Sequence, residues 1–158
     1  MARVSPRRDP KALPSEEKKA GHWLVKSDPE TYGWDELVTD GATRWDGVRN
    51  AEARNSLAAM REGDFALFYH SGADKAVVGV ATVKSAAYPE PGAQDPRWLA
   101  VDLAPLEPLA RPVSLAEIKA DRSLAKIKLV THSRLSVMPI DVAAFERILS
   151  LARTQPKR

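Results

Sequence analysis

Residues 64–83 constrain the fold of this chain more than any other stretch. Asp64-Phe65-Ala66-Leu67-Phe68-Tyr69-His70 is dense in aromatic and apolar side chains, as strands are. Phe65, Leu67 and Tyr69 fall on one face; Ala66, Phe68 and His70 fall on the other. Ser71-Gly72-Ala73-Asp74 then supplies a turn, and residues 75–83 (Lys-Ala-Val-Val-Gly-Val-Ala-Thr-Val) supply a second strand. A hairpin apolar on both faces must be covered from both sides, so the rest of the chain has to pack around it.

The surrounding segments fit that demand. Residues 22–26 read as a strand ended by Asp28-Pro29, and residues 34–38 as one or two helical turns. Residues 48–60 read as a helix with Val48, Ala51, Leu57 and Met60 on its buried side. Tyr88-Pro89-Glu90-Pro91-Gly92 opens an irregular loop, and residues 98–106 form another strand. Ser114-Leu115-Ala116-Glu117 is a capping box for a short helix ending near Ala120. Residues 134–140 read as a last extended segment. Asp141 then caps a final helix through Leu151, with Val142, Phe145, Ile148 and Leu149 at helical spacing. Strands and helices do not alternate regularly, which argues against a doubly wound parallel sheet. The expected class is α+β: a small, mostly antiparallel, curved and partly closed sheet with flanking helices.

The chain has 158 residues, enough for one domain with a full core. It has no cysteine, which removes disulfides, zinc-thiolate sites and cysteine nucleophiles. No apolar run approaches the roughly 20 residues that span a bilayer, and no apolar stretch follows Arg3, Arg7 and Arg8. No membrane role and a cytoplasmic location are therefore expected. Residues 1–20 carry six Lys or Arg against three Asp or Glu, and residues 150–158 carry three against none. The whole chain is +3, so the body between these ends is −3. The expected organisation is a disordered basic tail over 1–20, a domain over 21–151, and a basic tail over 152–158. Basic tails attract phosphate weakly, whereas the acidic body is not a typical duplex-binding surface.

Chemistry concentrates in residues 44–57. Trp45 stands before an Asp46-Gly47 turn, and Arg49, Asn50, Arg54 and Asn55 follow among small residues. A Trp face, Asn amides and Arg forks together suit a flat, hydrogen-bonding heterocycle. Nothing here resembles a nucleophile or a metal ligand, so no catalytic residue, metal or cofactor is expected.

Several segments, taken in order, resemble the EVE family of the PUA-like superfamily. They are Trp23-Leu24-Val25-Lys26-Ser27-Asp28-Pro29, Trp45-Asp46-Gly47-Val48-Arg49-Asn50 with Ala53-Arg54-Asn55, and Gly63-Asp64 followed by Phe68-Tyr69-His70-Ser71. Val78-Gly79-Val80, Tyr88-Pro89-Glu90-Pro91, Pro112-Val113-Ser114-Leu115 and Arg134-Leu135-Ser136-Val137 extend the match over residues 21–150. Two positions depart from the pattern: Asp28 where the family often has Glu, and Phe145 where Trp is expected. The resemblance implies a PUA-like curved sheet and a non-enzymatic pocket for a modified base flipped out of DNA or RNA.

Such a pocket needs a stacking partner, edge contacts and room for an added group. Trp45 and Trp23 are candidate walls. Asn50, Asn55, Ser27, Ser71 and Ser136 are candidate edge contacts, the last drawn from the resemblance. Arg54 and Lys26 can hold phosphate or the base edge, and Tyr69 and His70 complete the set. Each has an alternative role. Trp23 and Tyr69 can be core, Trp34 and Trp98 packing residues, and Asn50 and Asn55 local backbone partners. Arg49 and Arg54 can pair with Glu52, Asp28 or Asp46, and His70 can be structural. The expected partner is nucleic acid carrying methylated or hydroxymethylated bases, bound by a monomer. Two other functions stay open. One is a small-molecule or protein-interaction domain, which the acidic body allows. The other is a metal-free nucleobase enzyme using Asp28 or Asp46 with His70; His22, His70 and His132 lack zinc-motif spacing.

Overall fold

The computed structural model describes residues 21–153; the readings of both basic tails lie largely or wholly outside them. The hairpin forms as expected. Strands β3 (Phe65–His70) and β4 (Ala76–Val83) pair antiparallel, with Phe65 opposite Thr82 and His70 opposite Ala76. Strand β1 (His22–Ser27) pairs parallel to β3, His22 opposite Phe65 through Ser27 opposite His70. A parallel neighbour requires a long crossover. Here it holds helix α1 (Trp34–Asp40), strand β2 (Thr43–Trp45) and helix α2 (Ala51–Ala59).

Strand β6 (Leu99–Ser114) runs antiparallel to β4 and carries β2 on its other side. A two-residue strand, β5 (Tyr88–Pro89), also pairs with β6. Helices α3 (Leu115–Ala120) and α4 (Lys128–Thr131) follow, then β7 (Val137–Pro139) beside β1 and helix α5 (Val142–Leu151). The sheet order is β2-β6-β4-β3-β1-β7, curled into a half-barrel with helices on its flanks: the α+β, PUA-like class expected.

The structure departs from the expectation in local detail. The helix expected over 48–60 starts only at Ala51, capped by the Asn50 side chain, which accepts from the Ala53 N–H at 2.9 Å. Ala51 is exposed, and Ala53, Ser56 and Leu57 form the buried side; Val48 and Met60 are buried but lie outside the helix. β6 is far longer than 98–106, because it absorbs Pro105 and Pro108 where its register against β4 shifts. Proline donates no ladder hydrogen bond, and the register shifts accommodate both prolines within the strand. β2 and β5 are too short to show periodicity. Val142, expected on the apolar stripe of α5, is half-exposed (51%), while Phe145 is buried against His22 and stacked on Phe65 at 5.8 Å.

One knot ties the open end of the sheet. Asp64 is 2% exposed and accepts from the Gly21 N–H, the Arg61 N–H and the Trp23 indole N–H at 2.8–2.9 Å. A buried carboxylate persists only when its oxygens are occupied in this way.

Candidate functional site

A cavity of about 520 Å³ opens where the C-terminal end of β1 meets β2. Lys26, Ser27 and Asp28 line one side, and Thr31 and Tyr32 of the following loop close its end. Thr43, Arg44, Trp45, Asp46, Gly47, Val48 and Arg49 form the opposite side, with Ser136 between.

Each wall is held by local chemistry. Asp28 takes the Glu30 N–H on Oδ1 at 2.9 Å, and its carbonyl takes the N–H groups of Thr31 and Tyr32 at 2.9 and 2.8 Å. That turn brings Tyr32 back over Ser27, whose hydroxyl donates to the Tyr32 carbonyl. The Tyr32 phenol donates to Asp40 at 2.8 Å, and burial, the leading cause, raises its pKa. Trp45 is half-buried and edge-on to Phe68, with centroids 5.6 Å apart. Phe68 in turn meets Trp34 edge-on at 5.6 Å, so three aromatic rings fix the tilt of the Trp45 face.

The turn after Trp45 is clamped from outside. Gly47 has φ 75°, a conformation glycine adopts without a Cβ clash. Its N–H donates to Glu90 at 2.9 Å, and the Arg49 guanidinium grips both oxygens of Glu90 at 2.9 and 2.8 Å. The Arg49 hydrogen bonds, then the Gly47 N–H, hold the Glu90 carboxyl down to about 2. Arg49 also lies 4.8 Å from the Trp98 ring, and Arg97 lies 5.7 Å from it. Trp98, read as packing, is therefore a half-buried surface ring under guanidinium groups. Arg44 pairs with Asp46 at 2.9 Å.

Of the eleven expected site residues, the cavity gathers Lys26, Ser27, Trp45 and Ser136. Trp23 does not line it; it is core, 9% exposed, with its indole N–H spent on Asp64. Tyr69 is likewise core at 3% exposed. His70 is structural: Nε2 accepts the Trp34 N–H at 3.0 Å, so the proton sits on Nδ1, which faces Asp74 at 3.1 Å. Ser71 uses its backbone N–H on the Ser27 carbonyl. Asn50 caps α2 and borders a separate cleft of about 270 Å³ with Glu52 and residues 132–135. Arg54 and Asn55 lie on α2, the Arg54 guanidinium donating to the Asn55 side-chain oxygen at 3.5 Å, and neither lines the cavity. Arg49 pairs with Glu90, and Glu52 pairs with Lys128 at 2.7 Å, rather than as expected.

Tyr32, Thr43 and Arg44 line the cavity without having been singled out. Thr43 and Arg44 arrive because β2 docks on β6, and Tyr32 because the Asp28 turn folds it back over Ser27. Among the described residues no group of three or more His, Asp or Glu is placed to hold a metal, and no helix is long and apolar enough to cross a membrane.

The EVE domain model matches residues 21–151. This chain belongs to the EVE-domain family. Human thymocyte nuclear protein 1 is 31% identical over 171 aligned positions, covering 87% of this chain and 76% of that protein. The crystal structure of Atu2648 from Agrobacterium tumefaciens superposes with a TM-score of 0.84 at 36% identity, covering 87% of this chain and 98% of that one. The structure of human THYN1 in complex with DNA containing 5-methylcytosine superposes at 0.79 with 31% identity, covering 87% of this chain and all of that one (100%).

Proposed function

We propose that this EVE domain is a non-enzymatic reader of a modified base, of the 5-methylcytosine kind, flipped from DNA into the Trp45 cavity. The observation that carries this reading is the cavity itself. Its volume of about 520 Å³ lies in the range of small-ligand sites. One wall is an indole set edge-on against Phe68, and polar residues line the rest of the cavity. The relative bound to DNA containing 5-methylcytosine supports the choice of DNA and of the base.

Stacking on Trp45 supplies about 1–3 kcal/mol without regard to base identity. Discrimination falls to the edge and the added group. Asp28 and Asp46 accept hydrogen bonds only, which suits the exocyclic amino group of cytosine. Val48 gives the cavity an apolar patch where a methyl group loses water. One methyl is worth about 1–3 kcal/mol in such a niche, so selectivity is modest. The Ser27 hydroxyl donates to a backbone carbonyl rather than to a general base, the opposite of an activated nucleophile.

Fluorescence-anisotropy titration of matched oligonucleotides at two salt concentrations tests the proposal. The methylated strand is expected to bind about tenfold more tightly than the unmethylated one. Trp45→Ala is expected to weaken binding by roughly five- to a hundredfold. Affinity indifferent to both methylation and salt would remove nucleic acid as the partner. Release of the base in a single-turnover assay would make the protein an enzyme.

A further inference from the structure

Three cations line the cavity, and two are already neutralised. Arg44 is paired with Asp46 at 2.9 Å, and Arg49 with Glu90 at 2.8 Å. Lys26 makes no ion pair among the described residues. Its ammonium donates to the Ser133 carbonyl at 2.8 Å and lies 5.9 Å from the Tyr69 ring centroid. An ammonium has three donors, so two remain for a ligand. It is partly buried, and desolvation lowers its pKa. A partly buried cation beside a carbonyl and a ring has no carboxylate partner among the described residues.

We infer that Lys26 is the anion-holding residue of the cavity, and that its ligand is the backbone phosphate next to the flipped base. This rests on the base-reading proposal and adds a second contact to it. Geometry favours phosphate. Lys26 lies on β1 beside Ser27, whereas Trp45 comes from β2 on the opposite side. A ring stacked on Trp45 therefore leaves its sugar–phosphate to be met across the cavity. A lysine contact of this kind is sequence-independent: it positions the nucleotide while the edge groups identify it. It also explains how a body of net charge −3 can grip DNA locally without a broad basic face.

The test uses oligonucleotides in which the phosphate on the 5′ or the 3′ side of 5-methylcytosine is a neutral methylphosphonate. For the wild-type protein, one of the two replacements is expected to cost about ten- to a hundredfold in affinity. Lys26→Met should lose a similar factor on the native strand and become indifferent to the replacement; Lys26→Arg should keep the sensitivity. Melting temperatures report whether each variant folds, and Lys26→Arg decides if the methionine variant does not. Wild-type protein that prefers the methylated base but ignores both replacements would overturn the Lys26 assignment and leave base reading intact. So would a Lys26→Met variant that remains sensitive. Sensitivity through Lys26 without any preference for the methylated base would sustain the phosphate contact and overturn base reading. No binding to any strand would overturn both.

Discussion

Gly79 shows how tightly single residues set this site. A Cβ built on Gly79 would fall 2.6 Å from ring atoms of Trp34, far inside contact distance. The indole of Trp34 lies flat on the backbone of β4 because nothing projects there, and from that seat it braces Phe68, which braces Trp45. Gly79→Ala is therefore expected to destabilise the protein by about 1–3 kcal/mol through overpacking. Weaker oligonucleotide binding should accompany it, since the aromatic relay ends at the cavity. Chemical denaturation and anisotropy measure the two effects, and unchanged stability would show that Trp34 has another place to sit. Sequence alone marked Trp34 as a packing residue, but its partner depends on β4 lying beneath it. His70 is similar: a lone histidine can be a ligand or a strut, and only the Trp34 N–H at Nε2 makes it a strut.

At the scale of elements, the start of α2 decides which residues of the 45–55 stretch belong to the cavity. Up to Arg49 the chain is extended or turning and lies along the cavity; from Ala51 it is helical and carries Arg54 and Asn55 elsewhere. A motif read as one surface is thus split by a helix boundary, the least legible feature of a sequence. Asn50 stands on that boundary and satisfies one of the orphan N–H groups of α2. Asn50→Ala is expected to cost about 1 kcal/mol, within the usual 0.5–2 for an N-cap, while Asn50→Asp preserves stability. Thermal melts of the two variants check this. An Asn50→Ala variant that melts with the wild type would mean that α2 is held by packing alone. The short strands β2 and β5 escaped notice for a related reason: three residues or two cannot display a period, so β6 has to define them.

Across the molecule, guanidinium–carboxylate clasps tie neighbouring segments together. Glu90 grips Arg49, Glu117 grips Arg111, and Asp95 grips Arg97. In each case the guanidinium hydrogen bond is the leading cause holding the carboxyl down, to about 2. Folded values below the ordinary 4.5 of Glu and 3.8 of Asp mean that the clasps stabilise fully above those values. Their contribution is lost as pH falls from there toward about 2. The melting temperature should therefore drop over that interval, and Glu90→Gln should flatten part of the drop. A melting temperature constant from neutrality down to that range would show that the clasps add nothing to stability, as many surface ion pairs do.

Aromatic density and the turn at 71–74 were sufficient to specify the hairpin, and helical spacing with Asp141 sufficed for α5, because these signals are local. The motif order across 21–150 was sufficient to indicate the family, and Trp45, Lys26, Ser27 and Ser136 were legible as site candidates. Tertiary structure alone decided that Trp23 and Tyr69 are core, that Tyr32 and Arg44 reach the cavity, and that Lys26 is the lining cation without a carboxylate partner among the described residues. The physical reason is common to all three. Burial and pairing are set by which distant segment packs alongside, and Glu90 and Asp64 choose their partners across more than forty residues of chain.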